Sequence, residues 1–456
     1  MFTRRNAMAM FALAAGSGLA SSRQVWSAPA LSLTDLRGSI DAGAAGLAPR
    51  SGEDQTQRLL SLIEDANRNN QWLFLPPGRY EVANLTLPDN TRLTGIAGAT
   101  ELVFAGGGSF IGAEGAGRIE LANIGFNGAG IGLPEDVPAM LHLRDVAQLS
   151  IDNCTFTGCE KTGLQLERCG GRVSDSRWSG IGEYGLYSID SIGLSVTDNM
   201  LVDCGNGGIL IHRRDPGEDG SIVTGNRIAQ THATYGGTGQ FGNAINLYRA
   251  NGVIVSGNHI RDSAFTAIRA NASSNIQISG NQCLRSGETA IYSEFGFEGA
   301  MVTANLIDGA ANGINIANFN EGGRLAIVAN NIIRNISSTG PYEHDSVGFG
   351  IGIGVEADTV VSANVIENVP RFGMLLGWGP YLRNIAATGN IIRASRTGCA
   401  VSVVEDAGSA LISDNIFEQC KDGAIIGFRW HDAATGELAT EKSHFKHLTL
   451  SGNRVG

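Results

Sequence analysis

Lysine is nearly absent from this chain: Lys161, Lys421, Lys442 and Lys446 are the only ones in 456 residues. Proline is scarce at 11, and the 63 glycines follow no G-X-Y period, which excludes collagen and proline-rich disorder. Charged residues make up 17% and aromatics 7%, against a hydrophobic content of 43%, so the chain is neither an acidic disordered polymer nor a polytopic membrane protein. The body also lacks any helical periodicity of ten or more residues after residue 70. What remains is an even, glycine-punctuated composition over a length that would ordinarily make several domains. That combination points to one repetitive all-β body.

Residues 1–30 read as an export signal. Thr3-Arg4-Arg5 precedes a mildly apolar run from Ala7 to Ala20, a further Arg23, and the small-residue cleavage pattern Ala28-Pro29-Ala30. The arginine pair and the low hydrophobicity are those of a twin-arginine signal, so the twin-arginine translocase is the expected partner during export and the expected location is periplasmic or extracellular. The run is shorter than the ~20 apolar residues that span a bilayer, so no stable membrane anchor is expected. Taking Arg4, Arg5 and Arg23 from 33 basic residues, against 44 acids, leaves the mature chain at −14. Such an acidic protein disfavours nucleic acid as a partner, because phosphate binding needs a basic face.

Seven cysteines are an odd count for an exported protein. Cys159, Cys204 and Cys420 each stand just before a glycine-containing apolar strand, which is a repeat position and not a disulfide spacing. They are expected to be small packing residues.

The repeat dominates the sequence. A unit of small residue, asparagine, any residue, then Ile/Val/Leu recurs at Asn199, Asn226, Asn258, Asn281, Asn305, Asn330, Asn364, Asn390, Asn415 and Asn453. The base period is in the twenties, with insertions before Asn258, Asn364 and Asn453. Between these asparagines lie strands of period two such as Ala267-Ile268-Arg269-Ala270 and Ala290-Ile291-Tyr292-Ser293. The pattern predicts a right-handed parallel β-helix of roughly 14 coils, about 65 Å long at ~4.8 Å per coil, in which Asn258, Asn281, Asn305 and Asn330 stack as one buried ladder. Before it, Asp54-Gln55-Thr56-Gln57 opens an amphipathic helix with Leu59, Leu60, Ile63 and Ala66 on one face, suited to covering the open end of a solenoid. The organisation expected is signal 1–30, cap region 31–71 and β-helix 72–456.

The stretch from Asp54 through Pro76-Pro77-Gly78-Arg79-Tyr80 to Gly95 resembles the N-terminal cap of the pectin-lyase-like superfamily, and the asparagine coils resemble its right-handed β-helix repeats. With Arg4-Arg5, the whole chain looks like the family of twin-arginine-translocated repetitive β-helix proteins. The resemblance implies the fold; for function it implies a set that spans lyases, hydrolases, epimerases and non-catalytic envelope proteins.

Outward positions of the second strand, taken coil by coil, are His212, Asn246, Tyr248, Arg269, Asn271, Tyr292, Glu294, Asn315 and Glu356. Aromatic faces and bidentate donors suit sugar rings and uronate carboxylates. The insertions Arg213–Ser221, Ala229–Gly242 and Asn335–Val347 fall near the same coils and are expected to wall a groove. Arg269, Tyr292, Glu294 and Glu356 are the catalytic candidates, and His212, Asn246, Tyr248, Asn271 and Asn315 the substrate-binding ones. Inverting hydrolysis would use Glu294 and Glu356, two coils apart; elimination or epimerisation would use Arg269 against a uronate and a tyrosine or His212 to move the proton. The Asp-Pro-His-Asp motif of alginate epimerases is absent, with Glu343-His344-Asp345 a partial echo. Clustered acidic oxygens for calcium are lacking. His431, Asp432, His444 and His447 read as exposed loop residues, so no metal is expected and no cofactor is identified. The function expected is binding or modification of an extracytoplasmic polysaccharide; the rival is a non-catalytic envelope or adhesion scaffold. The insertion Arg429–Phe445 is expected to pack across the C-terminal opening.

Overall fold

The computed structural model describes residues 38–237, 239–343, 348–440 and 445–456. The export signal expected at 1–30 lies outside them. The chain is an all-β parallel solenoid of about 14 turns with, among the described residues, a single α-helix near its N-terminus. Strands of successive turns pair in register in two long parallel sheets, one of 16 strands and one of 26. Alternation inside each strand sends Ile209, Ile245, Ile268, Ile291, Ile314 and Ile353 into one inward column, each 0% exposed, while the residue after each faces out. Stacking like on like packs one continuous core from end to end.

The asparagine ladder turns the chain between the two sheets. Each ladder asparagine is read twice by its neighbour: the backbone N–H and the Nδ2 of Asn281 both donate to Oδ1 of Asn305 at 3.0 Å, and the same Nδ2 reaches the carbonyl of Val255 at 3.0 Å. The pattern repeats through Asn199, Asn226, Asn258, Asn281, Asn305, Asn331, Asn364, Asn390, Asn415 and Asn453. The member between Asn305 and Asn364 is Asn331, not the expected Asn330. Asn330 has φ +58° and fills the left-handed position that Gly257, Gly280, Ala304 and Ala363 fill in neighbouring coils. Upstream, Ser176 and Cys154 take the ladder slot, with Cys154 N–H donating to Ser176 Oγ and Ser176 N–H to Asn199 Oδ1, each at 3.0 Å.

The helix spans Thr56–Arg68 and buries Thr56, Leu59, Leu62, Ile63 and Ala66 against the first coils. Leu62 takes the fully buried place expected for Leu60, which packs at the margin, because the face follows 3.6 residues per turn from Leu59. At the far end, Gly423–Arg429 pairs antiparallel with Asp432–Glu437, the one antiparallel ladder among the described strands. Its second strand belongs to the C-terminal insertion and lines the free edge of Gly423–Arg429, whose other edge pairs with Ile391–Ser402; residues 441–444 of the insertion expected to cover the opening lie outside those described. The Glu437 carboxylate accepts the N–H groups of Ala424, Ile425 and Ala439 at 2.6–3.1 Å, and Leu438 joins the core. Trp430 rests on Gly379, where a Cβ would come within 2.4 Å of its ring. All seven cysteines are free thiols and six are buried. Cys159 and Cys204 share one column through Ile181.

Candidate functional site

Three outward columns on the broad sheet carry the candidate residues. The register runs His142, Gln165, Tyr187, Leu210, Asn246, Arg269, Tyr292, Asn315 in one column and Arg144, Glu167, Ile189, His212, Tyr248, Asn271, Glu294 in the next. A third column holds Thr162, Tyr184, Gly207 and Asn243. The expected residues therefore do share one face. Their accessibility differs sharply along it.

In the central coils the face is closed. Arg269 is 7% exposed and Glu294 3%. Arg269 Nε donates to Glu294 Oε1 at 2.6 Å, and its Nη1 lies 3.4 Å from Glu288 Oε2. Asn271 Nδ2 completes Glu294 at 3.0 Å, and Thr266 Oγ1 completes Glu288 at 2.8 Å. The Tyr342 hydroxyl, from the Asn335–Val347 insertion, donates to Glu288 Oε1 at 2.7 Å, and its ring stacks near Phe265. Phe265 in turn fills the space above Gly237 and Gly242 of the preceding insertion. The open cleft expected over Arg269, Tyr292 and Glu294 is thus corrected: Tyr342 of the later insertion bonds Glu288 over the pair, and Phe265 of the coil itself packs against Gly237 and Gly242 of the earlier one. Burial pushes the Glu294 carboxyl above its ordinary range against the opposing pull of Arg269. Burial works against the Arg269 charge too, yet Glu294 beside it holds the guanidinium more firmly protonated than usual. Tyr292 packs against the Arg269 guanidinium, 5.2 Å from its ring centre, and burial raises its hydroxyl pKa.

Four further expected residues flank this cluster. His212 is buried, pairs through Nε2 with Asn246 Oδ1 at 2.7 Å, and burial lowers its pKa to about 4. Glu356 lies two coils beyond Glu294 in the register. Its carboxylate accepts the Phe319 N–H at 2.7 Å, and burial, only partly offset by that bond, raises its pKa to about 7. Asn315 is half-buried against Gly354, where a Cβ would stand 2.7 Å from its Oδ1.

Upstream the same columns are partly accessible, interrupted by the buried Gln165, Leu210 and His212. His142, Glu167, Tyr187 and Tyr248 are half-buried, and Arg214 is exposed. Glu167 gathers His142 Nε2 at 2.9 Å, Gln165 Nε2 at 2.9 Å and Arg214 Nη2 at 3.3 Å. Burial raises its pKa, but these donors outweigh burial and hold the carboxyl below the usual range. Tyr187, His212 and Tyr248 stand edge to face at centroid distances of 5.1 and 5.5 Å. Arg214 bonds Asp190 at 2.5 Å, and Arg249 lies over the Tyr248 ring at 4.8 Å. Sequence reasoning started these columns at His212 and missed His142, Gln165, Glu167, Tyr187 and Arg214. Their signal is the alternation Leu141-His142-Leu143-Arg144 and Leu164-Gln165-Leu166-Glu167. Among the described residues no group of three or more His, Cys, Asp or Glu is placed to hold a metal ion.

Comparison with known proteins agrees with this architecture. No curated protein sequence matches the chain. Among solved structures it is similar to a PL6 alginate lyase in complex with a trisaccharide, at 14% identity and a TM-score of 0.53, covering 92% of this chain and 95% of the lyase. It is similar also to the N-terminal fragment of gene product 12 of bacteriophage Phi29, at 14% identity and 0.52, covering 90% and 74%. A third likeness is the A-module of Azotobacter vinelandii mannuronan C-5 epimerase AlgE6, at 14% identity and 0.48, covering 91% and 99%. At such identities the likeness is one of fold. The family model for the right-handed β-helix region matches residues 103–228 and 171–332, together half of the chain, and the chain belongs to that family.

Proposed function

We propose that this protein is exported through its Arg4-Arg5 signal and binds an extracytoplasmic polysaccharide along the outer face of the broad sheet. The observation that carries the reading is the accessible lane of His142, Glu167, Tyr187, Tyr248 and Arg214. It offers aromatic faces for sugar rings beside a carboxylate and a guanidinium that match hydroxyl and uronate groups. The fold shared with a trisaccharide-bound alginate lyase is consistent with it. In this reading Tyr248, Asn271, His212, Asn246 and Asn315 shape the downstream end of the lane. Arg269, Tyr292 and Glu294 act from beneath it, reaching a substrate only when Tyr342 leaves Glu288. Glu356, with a carboxyl that titrates near neutrality, is the candidate general acid.

A second reading, a non-catalytic envelope or adhesion scaffold, is favoured by the same buried cluster, since Arg269, Glu288 and Glu294 already satisfy one another. A screen of the purified protein against acidic and neutral polysaccharides separates the two. Shortening of a polymer or new unsaturated ends supports binding with modification, binding without turnover supports the lane as a binding site alone, and absence of any binding contradicts the lane and leaves the scaffold.

A further inference from the structure

Outside the candidate site, the C-terminal half of the rod carries an apolar ridge on either side of the asparagine turn. On the 16-stranded sheet the outward column reads Gln277, Met301, Ile327, Val360, Ala386, Leu411. On the broad sheet, just past the turn, it reads Arg227, His259, Gln282, Leu306, Ile332, Val365, Ile391, Ile416, Arg454. Both columns become continuously apolar from the same coil, just after Gln277 and Gln282. Met301, Ile327, Val360, Leu411, Ile332, Val365, Ile391 and Ile416 are each 37–46% exposed. Between the columns the turns contribute Thr303, Ala304, Ser362, Ala363, Thr388 and Gly389, with no charge until Asp414. Eight such side chains leave roughly 500 Å² of contiguous apolar surface, near the upper end of what a monomer carries without a partner.

Two residues further along each strand, at the next outward position, a charged column runs beside the ridge: Asp308, Arg334, Glu367, Arg393, Glu418. Its signs alternate, and neighbours pair, as Arg334 with Asp308 at 2.8 Å and Arg393 with Glu367 at 2.5 Å. An alternating column complements itself. A second copy laid antiparallel sets Asp308 against Arg393 and Arg334 against Glu367, and the two-fold repeats both contacts. An acidic chain otherwise repels its own copies, so this locally neutral strip is where they can approach.

We propose that this ridge is the interface of a homodimer, apolar at its centre and rimmed by the Asp308–Glu418 column. The ridge with its rim approaches the ~800 Å² per partner of a standard interface. Sedimentation velocity of the purified protein from ~1 to ~100 μM tests it, because a dimer must respond to concentration by mass action. The expected result is a dimer at the upper concentrations, and at least a tenfold weaker association for Ile332→Asp and Ile391→Asp. Both sites face solvent in the single chain, so an unchanged thermal midpoint of the diluted variants accompanies it. A wild-type protein that stays monomeric throughout overturns the proposal, as does a dimer indifferent to both substitutions. A monomer that instead floats with anionic lipid vesicles overturns it too, assigning the ridge to a membrane surface.

Discussion

Arg269 and Glu294 form a buried ion pair at 2.6 Å on the outer face of the sheet, where a solvent-facing pair was to be expected from strand alternation alone. The loop that carries Tyr342 converts an exposed rung into an interior one.

Removing only the cation should therefore be costly. Arg269→Ala leaves Glu288 and Glu294 buried together without a counter-charge and should destabilise by about 3–5 kcal/mol. Arg269→Met combined with Glu288→Gln and Glu294→Gln should recover most of that loss, since no charge is then stranded. Chemical denaturation of both variants checks this; an Arg269→Ala variant as stable as the wild type would mean that the cluster is hydrated.

The ladder makes a paired prediction. Asn281→Ala strips donors and acceptor from two neighbouring coils and should cost about 2–4 kcal/mol. Asn330→Gly keeps the left-handed turn open and should change stability by less than about 1 kcal/mol. Equal losses at the two positions would contradict the assignment of Asn331 to the ladder.

Two buried titratable groups should bend the pH profile in opposite directions. The folded-state pKa of His212, about 4, lies below its ordinary 6.5, so its contribution is complete above pH 6.5 and is lost as pH falls toward 4. The Glu356 pKa, about 7, lies above its ordinary 4.5, so its contribution is complete below pH 4.5 and is lost as pH rises through 7. Each effect is on the order of 3 kcal/mol. Glu356→Gln keeps a carbonyl for the Phe319 N–H and should raise the melting temperature at pH 8 but not at pH 4.5. Lower stability at pH 8 would count against a buried carboxyl there.

The C-terminal hairpin supplies a third structural prediction. Deleting residues 430–438 uncovers the edge of Gly423–Arg429 and the core beneath Leu438. Open strand edges template further pairing, so light scattering should detect species larger than a dimer. An unchanged scattering profile would remove the capping role.

The fold was legible because a solenoid writes its period into the sequence: each coil repeats a left-handed residue, an asparagine and an inward aliphatic. The slip at Asn330 came from the doubled Asn330-Asn331, where either fits the motif and only the left-handed slot, here filled by Asn330, separates them. The earlier coils were harder to align, since Cys154 and Ser176 stand in the ladder slot, and so the lane from His142 to Tyr187 went unread. The closure over Arg269 has no periodic signal at all. It depends on where Phe265 and Tyr342 of irregular segments come to rest, which alternation along a strand does not encode.

The central claim, that the accessible lane binds polysaccharide, is tested most directly by titration calorimetry with the polymer that the screen identifies, comparing the wild type with Tyr187→Ala and Tyr248→Ala. Both rings are half-buried on the outer face, outside the core. The account predicts that each substitution weakens binding by at least tenfold, about 1.4 kcal/mol, with the thermal midpoint little changed. Unaltered affinity in both variants would contradict it.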